Sequence, residues 1–253
     1  MSEARRQHLA TIVGDRGFVR VTDAALELGV SDVTIRGDLS ALEAQGALVR
    51  VHGAAMPVSA LREPSLEAAL DRDAAAKAAI GRAAAALVKN GESIYVDAGS
   101  TAMALATALV ARHDLHDVVV VTSGLTIALA LEAAIPRFTV IVTGGTLRPL
   151  QHSLVNPFAA AVMESLRLDA AFIGCNGIHP VFGVTNRNLP DAEIKTRVLS
   201  FVKRSILIAD ATKLGRIDLA LIATVERFAT LVTAGAVDAQ LLAELPLDVR
   251  LAT

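Results

Sequence analysis

Small and hydroxyl-bearing residues follow a short apolar run near the middle of the chain, at a spacing that suits anion binding. Asp97, Gly99, Ser100 and Thr101 come directly after the run SIYV and open the helical pattern AMALATALVA. Backbone N–H groups and hydroxyls at such a turn can approach a phosphate at the helix N-terminus. A single glycine more often marks only a tight turn, so the anion-site interpretation depends on similar turns elsewhere.

Similar turns and several charged residues recur toward the carboxyl end. The turn at residues 143–146 offers further donors, Arg148 adds a positive charge, and Lys195, Asp210 and Lys213 follow later. Lysines can close on phosphate oxygens while carboxylates orient sugar hydroxyls. Two alternatives stay open, because surface lysines are usually just solvated and the aspartates could instead be the general bases of an enzyme.

Metal, dinucleotide and P-loop sites are not indicated. The segment RHDLHD, residues 112–117, contains two histidines and two aspartates, but its place between a helical pattern and a strand pattern favours a solvated loop. The sequence has neither a G-x-G-x-x-G fingerprint after a strand nor a G-x-x-x-x-G-K-[ST] loop. Cys175 has no evident base beside it and is interpreted as a small residue at a strand end. We therefore predict no metal, no cofactor and no catalytic residue.

The stretch SDVTIRGDLSALEAQG predicts an amphipathic helix that starts at the N-cap Ser31 and stops at Gly46. Ile35, Leu39 and Leu42 share its apolar face. The residues on its other faces are Ser31, Thr34, Arg36, Gly37 and Ser40. An arginine there can reach guanine O6 and N7 in the major groove, or a phosphate. An ordinary amphipathic helix with a solvated arginine is an equally good interpretation of the spacing alone.

The surroundings of this helix favour DNA binding. A short helix closed by Gly29 precedes it, and the turn GVS joins the two as in a helix-turn-helix. The run ALVRVHGAAM that follows it alternates and turns at Gly53, which suits a β-wing carrying Arg50 and His52. Residues 1–57 are therefore predicted to form a winged helix-turn-helix.

Charge and composition limit how such a domain could bind DNA. The 253-residue chain is 53% hydrophobic and has a net charge of −2, and residues 1–57 hold six arginines against seven aspartates and glutamates. Binding must therefore depend on a local patch rather than on bulk attraction. With no tryptophan and one tyrosine, stacking on bases is also not expected as the mechanism.

The rest of the chain repeats apolar runs that end in small or polar residues. These runs are SIYVDAGST, VVVVTSGLT, TVIVTGGTL, AAFIGCNGI, SILIADATKLG and ATLVTAG. Continuous apolar strands alternating with helical patterns predict a mostly parallel α/β sheet covered on both faces, with ligands at the carboxyl ends of its strands. Pro57 and Pro64 discourage a continuous helix or strand between the N-terminal helical segment and these strand-forming runs. We predict a linker at residues 58–73 and an effector domain at residues 74–253.

No export signal or membrane span is evident, and no membrane partner is predicted. The N-terminal residues are charged, and the most alanine-rich run is interrupted by Lys77 and Arg82. The single cysteine excludes an internal disulfide and fits a reducing compartment. A cytoplasmic protein is therefore expected.

In their order, these motifs resemble the DeoR-type bacterial transcriptional regulators. Residues 5–55 resemble that family's winged helix-turn-helix, and VDAGST, VVTSGLTIAL, VTGGTLR, DAAFIGCNGI, EIKTRV and LIADATKLG resemble its effector domain. The resemblance covers nearly the entire chain. It implies a sugar-phosphate isomerase-like α/β domain that binds a phosphorylated sugar and adjusts DNA affinity.

The resemblance also assigns residues to sites. The DNA-reading helix falls on residues 31–45, with Thr34 and Arg36 in the TIR part of the family's usual TIRRDL. The positions that match the family's ligand loops are Asp97, Gly99, Ser100, Thr101, Thr122, Ser123, Gly144, Gly145, Gly174, Asn176, Lys195, Asp210 and Lys213.

Three positions depart from the family pattern. Gly37 replaces the second arginine of the usual pair, Ala54 replaces a glycine of the usual HGGA wing, and Ser123 stands where asparagine is common. The first departure weakens phosphate or base contact and therefore bears most directly on DNA binding.

The expected function is that of a repressor of a carbohydrate operon, released from operator DNA by a phosphorylated sugar. A homo-oligomer is expected, because helix-turn-helix dimers place two recognition helices on successive major-groove turns. The main alternative is a sugar-phosphate isomerase or related hydrolase with Asp97 or Asp210 as base and Lys213 as electrophilic partner. A third hypothesis is a DNA-binding module whose effector domain serves only for assembly.

Overall fold

The computed structural model describes residues 2–51, 53–58 and 63–253, and the predicted wing residue His52 lies outside them. The N-terminal part contains three helices and a three-stranded antiparallel sheet with the order β1-β3-β2. Its elements are α1 (Ser2–Arg16), β1 (Val19–Arg20), α2 (Val21–Leu28), α3 (Asp32–Ala44), β2 (Leu48–Val51) and β3 (Ala54–Pro57). The predicted winged helix-turn-helix is thus the architecture observed.

Local signals in the sequence explain where these helices begin and end. The Ser31 hydroxyl accepts a hydrogen bond from the Thr34 amide at 3.2 Å and caps α3. Gly29 closes α2 with a φ of +63°, a conformation that favours glycine. Ile35 and Leu39 are buried as their spacing predicts, whereas Leu26 of α2 is 84% exposed.

A buried carboxylate holds α1 against α3, which the apolar pattern of α3 does not reveal. Asp38 accepts hydrogen bonds from Arg5 Nε at 2.6 Å and from Arg6 Nε at 3.1 Å. Burial by itself raises the pKa of Asp38, but the two guanidinium groups outweigh it and lower that pKa from its ordinary value. Two of the six arginines of this domain therefore neutralise an internal aspartate instead of facing solvent alone.

Replacing Asp38 with asparagine is expected to destabilise the winged domain by about 2 kcal/mol at pH 7. The folded-state pKa of Asp38 lies below its unfolded value, so its ionised form stabilises the fold above that unfolded value and the stabilisation is lost as pH falls through the folded pKa. The difference from wild type should therefore shrink as the pH is lowered through and below the ordinary pKa range of an aspartate. Hydrogen exchange of the α3 amides in increasing urea measures the free energy of unfolding of the winged domain. Asp15→Asn, at an exposed position of α1, is the matched control and should change little.

The larger domain is built on a seven-stranded parallel sheet. The strands in spatial order are β15 (Asp248–Leu251), β14 (Thr230–Thr233), β12 (Val202–Ile208), β9 (Leu168–Ile173), β4 (Ser93–Val96), β5 (Val118–Thr122) and β6 (Phe138–Val142). The helices are α4 (Leu66–Asp71), α5 (Ala74–Ala85), α6 (Ser100–Ala111), α7 (Leu125–Leu131), α8 (Phe158–Glu164), α9 (Leu189–Leu199) and α10 (Ala239–Ala243). The predicted parallel α/β layer is confirmed.

Both faces of the sheet are covered, as the continuous apolar strands predict. In β4, Ile94 and Val96 belong to the core beneath α5, α6 and α7, whereas Tyr95 points into the core shared with α8 and α9. Successive side chains of a strand point to opposite faces, so one apolar run supplies both cores. Among the described residues, no helix has the length and apolar content needed to cross a bilayer.

Short antiparallel elements surround the edge of the sheet where its strands end. The strands β7 (Thr146–Arg148) and β8 (Ser153–Val155) form a hairpin, while β10 (Gly177–His179), β11 (Gly183–Asn186) and β13 (Ala220–Ala223) form a small sheet. From the central pair β4 and β9, the chain continues in opposite directions across the sheet. Ligands bind at such topological switch points, which directs attention to the loops after β4 and β9.

Candidate functional site

The loops after β4 and β9 meet at a buried carboxylate. Asp97, which follows β4 and is 1% exposed, accepts a hydrogen bond from the amide of Gly174, which follows β9, at 2.8 Å. A cavity of about 140 Å³ opens beside this contact. At the switch point of the sheet, a hydrogen bond therefore joins the two loops, and the cavity lies beside it.

Lys195 of α9 joins this junction to two carboxylates. Its Nζ lies 3.0 Å from Asp97 Oδ2 and 3.0 Å from Asp191 Oδ2. It also donates to the carbonyl of Gly174 at 3.1 Å and to Asn186 Oδ1 at 3.2 Å. Asp191 lies four residues before Lys195, which places both on one face of α9. The lysine is only 4% exposed, so its charge is balanced inside the protein.

The charges of this cluster follow from burial and from their partners. Burial raises the pKa of Asp97, although Lys195 opposes the effect. Burial also acts against ionisation of Asp191, but Lys195 and Arg148 outweigh it and lower the pKa of that carboxyl. For Lys195, burial lowers the pKa while the two carboxylates raise it by more, so the ammonium keeps its proton. Lys195 therefore acts as a fixed positive charge.

The structure brings together most of the predicted effector residues. Asp97 lies directly behind the cavity wall through its bonds to Gly174 and Lys195. The predicted residues that line the cavity are Gly99, Ser100, Thr101, Gly174, Asn176, Lys195, Asp210 and Lys213. Gly99 has a φ of +108° and caps α6, so the first-turn amides of that helix, which have no intrahelical acceptor, face this region.

Besides Asp97, four predicted residues lie outside the cavity lining. Thr122 and Ser123 are buried, with Thr122 Oγ1 accepting from the Gly124 amide at 3.0 Å and Ser123 Oγ lying 2.9 Å from the Tyr95 hydroxyl. Gly144 and Gly145 lead into the hairpin of β7 and β8. At Gly145 an added Cβ would fall 1.9 Å from a backbone oxygen, so this glycine is required by close packing of the chain.

Several cavity residues had not been assigned to the site from sequence. Among the residues that the structure describes, seven cationic and four anionic side chains line the cavity. The cationic ones are Arg72, Lys77, Arg148, Arg187, Lys195, Lys213 and Arg216, and the anionic ones are Glu63, Asp73, Asp191 and Asp210. The excess of positive charge suits an anionic ligand. The four-residue spacing of Asp191 and Lys195 was visible in the sequence, whereas nothing marked Lys77 or the linker residues.

Lys77 is buried at the start of α5 and helps to shape the cavity wall. Its ammonium donates to the carbonyl of Ala69 at 2.6 Å and to that of Arg72, which together end α4. Burial lowers the pKa of Lys77 from its ordinary value. The predicted linker therefore contains a helix, α4, that is tied to the effector domain beside the cavity.

Two carboxylate oxygens at the site are free to accept hydrogen bonds. Within the described part of the chain, Asp97 Oδ1 and Asp210 Oδ2 are buried and have no hydrogen-bond partner. Asp210 Oδ1 accepts from the Thr212 amide at 3.0 Å, and Lys213 Nζ lies 4.0 Å from Asp210 Oδ2. Such acceptors suit the hydroxyl groups of a polar ligand. Cys175 also lines the cavity, but burial raises its pKa to about 12, so it has no thiolate character.

The candidate DNA-reading surface lies on α3. Ser31, Arg36, Gly37 and Ser40 are exposed, and Thr34 is half-buried. The position of a Cβ at Gly37 has no atom within 4 Å, so no packing requires a glycine there. The surface is thus open along the middle of α3.

The predicted wing residue Arg50 is attached to α3. Its Nη1 donates to Ser40 Oγ, and its amide donates to Glu43 Oε1 at 2.9 Å. The wing is thereby fixed against the helix, and the Arg50 guanidinium forms an ion pair with the Glu43 carboxylate.

A hairpin connects the cavity to the winged domain. Asn176 precedes β10 and Arg187 follows β11, and both line the cavity. Near the turn of this hairpin, Phe182 packs edge to face against Phe18 with ring centroids 5.6 Å apart. The Arg20 guanidinium carbon lies 4.0 Å from the Phe182 ring centroid. One hairpin therefore contacts both the cavity and the winged domain.

Comparison with known proteins identifies both halves of the chain. Residues 5–60 match the DeoR-like helix-turn-helix domain, and residues 72–234 match the DeoR C terminal sensor domain. The chain belongs to the DeoR family. The predicted class, a DNA-binding transcriptional regulator rather than an enzyme, is confirmed by this membership.

Individual relatives agree with this assignment. The chain is 33% identical to the transcriptional regulator GolR of Listeria innocua over 90% of this chain and 89% of the relative. It is 30% identical to the lactose phosphotransferase system repressor of Staphylococcus aureus, over 85% and 84% of the two chains. Ribose 5-phosphate isomerase A from Methanocaldococcus jannaschii superposes with a TM-score of 0.40 at 17% identity, covering 54% of this chain and 52% of that chain.

Proposed function

We propose that this DeoR-family regulator represses a carbohydrate operon and that a phosphorylated sugar in the cavity releases it from operator DNA. The name of one relative, a lactose phosphotransferase system repressor, supports the link to carbohydrate metabolism. The observation that carries the proposal for the ligand is the composition of the cavity, which combines an excess of cations with buried carboxylate acceptors.

The cavity offers separate partners to the two parts of a sugar phosphate. The phosphoryl group would lie at the first turn of α6, where Ser100 and Thr101 supply amides and hydroxyls, with Lys213 and Arg148 of the cavity lining as counter-charges. The sugar hydroxyls would donate to Asp210 Oδ2, while Asp97 would act from behind the cavity wall by holding Gly174 and Lys195 in place. Thr122, Ser123, Gly144 and Gly145 would support these loops from behind rather than touch the ligand.

DNA would be read by α3. Ser31, Thr34, Arg36, Gly37 and Ser40 would face the major groove, with Arg36 as the residue that reaches a base edge or a phosphate. The wing would contact the backbone beside it through Arg50 and His52. Two copies of the chain would be needed to place two such helices about 34 Å apart on one operator.

Sugar phosphates are expected to raise the melting temperature of the protein, whereas the parent sugars are not. A ligand at 100 times its dissociation constant stabilises the folded state by about 2.7 kcal/mol, which a thermal-shift assay detects. The screen uses a panel of pentose and hexose phosphates, each compared with its unphosphorylated sugar. A panel without any stabilising compound contradicts the proposed ligand class.

Replacing Lys213 with alanine is expected to weaken binding of the stabilising compound at least about tenfold and to leave DNA binding without ligand unchanged. The matched control is Lys203→Ala, which removes a lysine that is exposed and pairs with Asp169 away from the cavity. A normal ligand response of the Lys213 variant in a gel-shift titration would mean that the ligand lies elsewhere. Conversion of any panel compound to product by the pure protein would favour the isomerase alternative.

A further inference from the structure

The segment that joins the two domains forms part of the cavity wall. Glu63, Pro64, Ala69, Arg72 and Asp73 all line the cavity, and all belong to the predicted linker between the wing and α5. Part of the cavity wall therefore belongs to the covalent connection between the DNA-binding and effector domains.

Glu63 provides a negative charge inside this site. Its carboxylate pairs with the Arg148 guanidinium, and the two side chains are 19% and 12% exposed. Arg148 also binds Asp191 Oδ1 at 3.1 Å, and Asp191 binds Lys195. The linker is thus the outer end of a chain of ion pairs that reaches the switch point of the sheet.

A phosphoryl group that enters the cavity competes with this carboxylate. Arg148 is a good phosphate ligand, since its planar fork pairs with two oxygens at once. A phosphate and Glu63 on the same half-buried guanidinium would repel each other, because like charges interact strongly where water is scarce. The two anions are therefore alternative partners of Arg148.

We propose that Glu63 is an internal competitor of the phosphorylated ligand, and that the ligand displaces it from Arg148 and so frees the linker from the cavity wall. This inference rests on the proposed function and specifies its regulation. The linker has other anchors that the ligand does not replace. Gln151 Nε2 donates to the carbonyl of Pro64 at 2.6 Å, and Glu67 pairs with His152 at 2.8 Å. Among the described linker residues, Glu63 is the one carboxylate that pairs with an arginine of the cavity lining.

Glu63→Gln tests the competition, and Glu67→Gln is its matched control. Both variants remove one carboxylate from the same short segment, but Glu67 pairs with His152 outside the cavity lining. Affinity for inorganic phosphate and for ribose 5-phosphate is measured by calorimetry. Hydrogen exchange is followed in the amides of residues 63–72. The full-length protein is used throughout.

The Glu63→Gln variant is expected to bind inorganic phosphate about tenfold more tightly than wild type, because no carboxylate has to be displaced. Its amides at residues 63–72 should exchange faster than those of wild type without phosphate. In wild type, saturating phosphate should raise the exchange of these amides toward the rate of the variant. Glu67→Gln should match wild type in phosphate affinity.

The remaining outcomes separate this inference from the proposed function. Suppose that wild type binds a phosphate compound. If Glu63→Gln binds it with the same affinity, or if the amides of residues 63–72 exchange at the same rate in both proteins, the proposed competition is wrong, while the ligand class stands. Equal effects of Glu63→Gln and Glu67→Gln also contradict it, because loss of any linker anchor would then suffice. If wild type binds neither inorganic phosphate nor any sugar phosphate of the panel, the proposed function fails and the competition with it.

Discussion

Replacing Lys195 with methionine is expected to lower the free energy of unfolding of the effector domain by about 3 to 5 kcal/mol. The ammonium lies 3.0 Å from a carboxylate oxygen of both Asp97 and Asp191 in a site where the lysine side chain is 5% exposed. Methionine has a similar length and fills the same space, so the loss is mainly electrostatic. Asp97 would be left as a buried charge without its cation.

The pH dependence of this variant distinguishes the charge effect from a packing defect. Without Lys195, burial is the main influence on the Asp97 carboxyl, so its folded-state pKa rises further above the unfolded value. Ionisation then opposes folding, and the deficit relative to wild type should decrease as pH falls from about 8 to about 5. Urea denaturation at both pH values, followed by circular dichroism, measures the change.

Lys203→Met is the control for this experiment. Lys203 pairs with Asp169 at 2.8 Å, but its side chain is 75% exposed, so its removal should cost less than about 1 kcal/mol. A Lys195→Met variant that is as stable as this control, or whose deficit does not change with pH, would show that the buried ion pairs contribute little.

Arg36→Ala is expected to weaken binding to an operator fragment by about 5-fold to 150-fold, the range for loss of one base contact worth about 1 to 3 kcal/mol. Arg36 is the only basic residue of α3, and residues 1–57 hold one more acidic than basic residue. No other basic residue of α3 can therefore offset the loss. Fluorescence anisotropy measures the affinity, with a genomic fragment selected by wild type as the operator.

Two further variants define what Arg36 does. Arg250→Ala removes the same charge from β15 of the effector domain and should leave operator affinity unchanged. Gly37→Arg restores the second arginine of the family pattern where the helix surface is open. It should tighten binding to any DNA and make the salt dependence steeper by about 0.9 per added phosphate contact. Selective loss of operator binding would instead indicate that the backbone at Gly37 approaches the groove closely.

Unchanged affinity of Arg36→Ala at moderate salt contradicts the recognition-helix assignment.

The hydrophobic pattern made most of the fold predictable, because each central strand packs against one core on each face of the sheet. A run such as that around Tyr95 is apolar throughout for this reason, and the sequence marks it clearly. The edge strand β15 was not predictable, since Asp248 and Arg250 lie on its exposed positions and leave no apolar run. The short antiparallel strands beside the cavity were missed because three or four residues contain too little pattern.

The site was predictable only where it follows strand ends. Residues such as Asp97 and Asp210 were found because small and polar residues after an apolar run are visible in the sequence. The same rule also selected Thr122 and Gly145, whose turns serve packing, since a turn motif does not reveal what faces it. Glu63 and Lys77 could not be found this way. They reach the cavity because the chain folds back over the sheet, and this depends on tertiary structure.

The shared wall between linker and cavity also limits where the gene can be cut and rejoined. An effector domain that begins at α5 would lack Glu63, Ala69 and Arg72 and would open the cavity to solvent on that side. A chimera that places this domain under a foreign DNA-binding module must therefore be spliced before Glu63. Such a hybrid keeps the effector domain intact but loses the contacts of Phe18 and Arg20 with Phe182. Ligand binding in one module would therefore not affect DNA binding by the other through that hairpin.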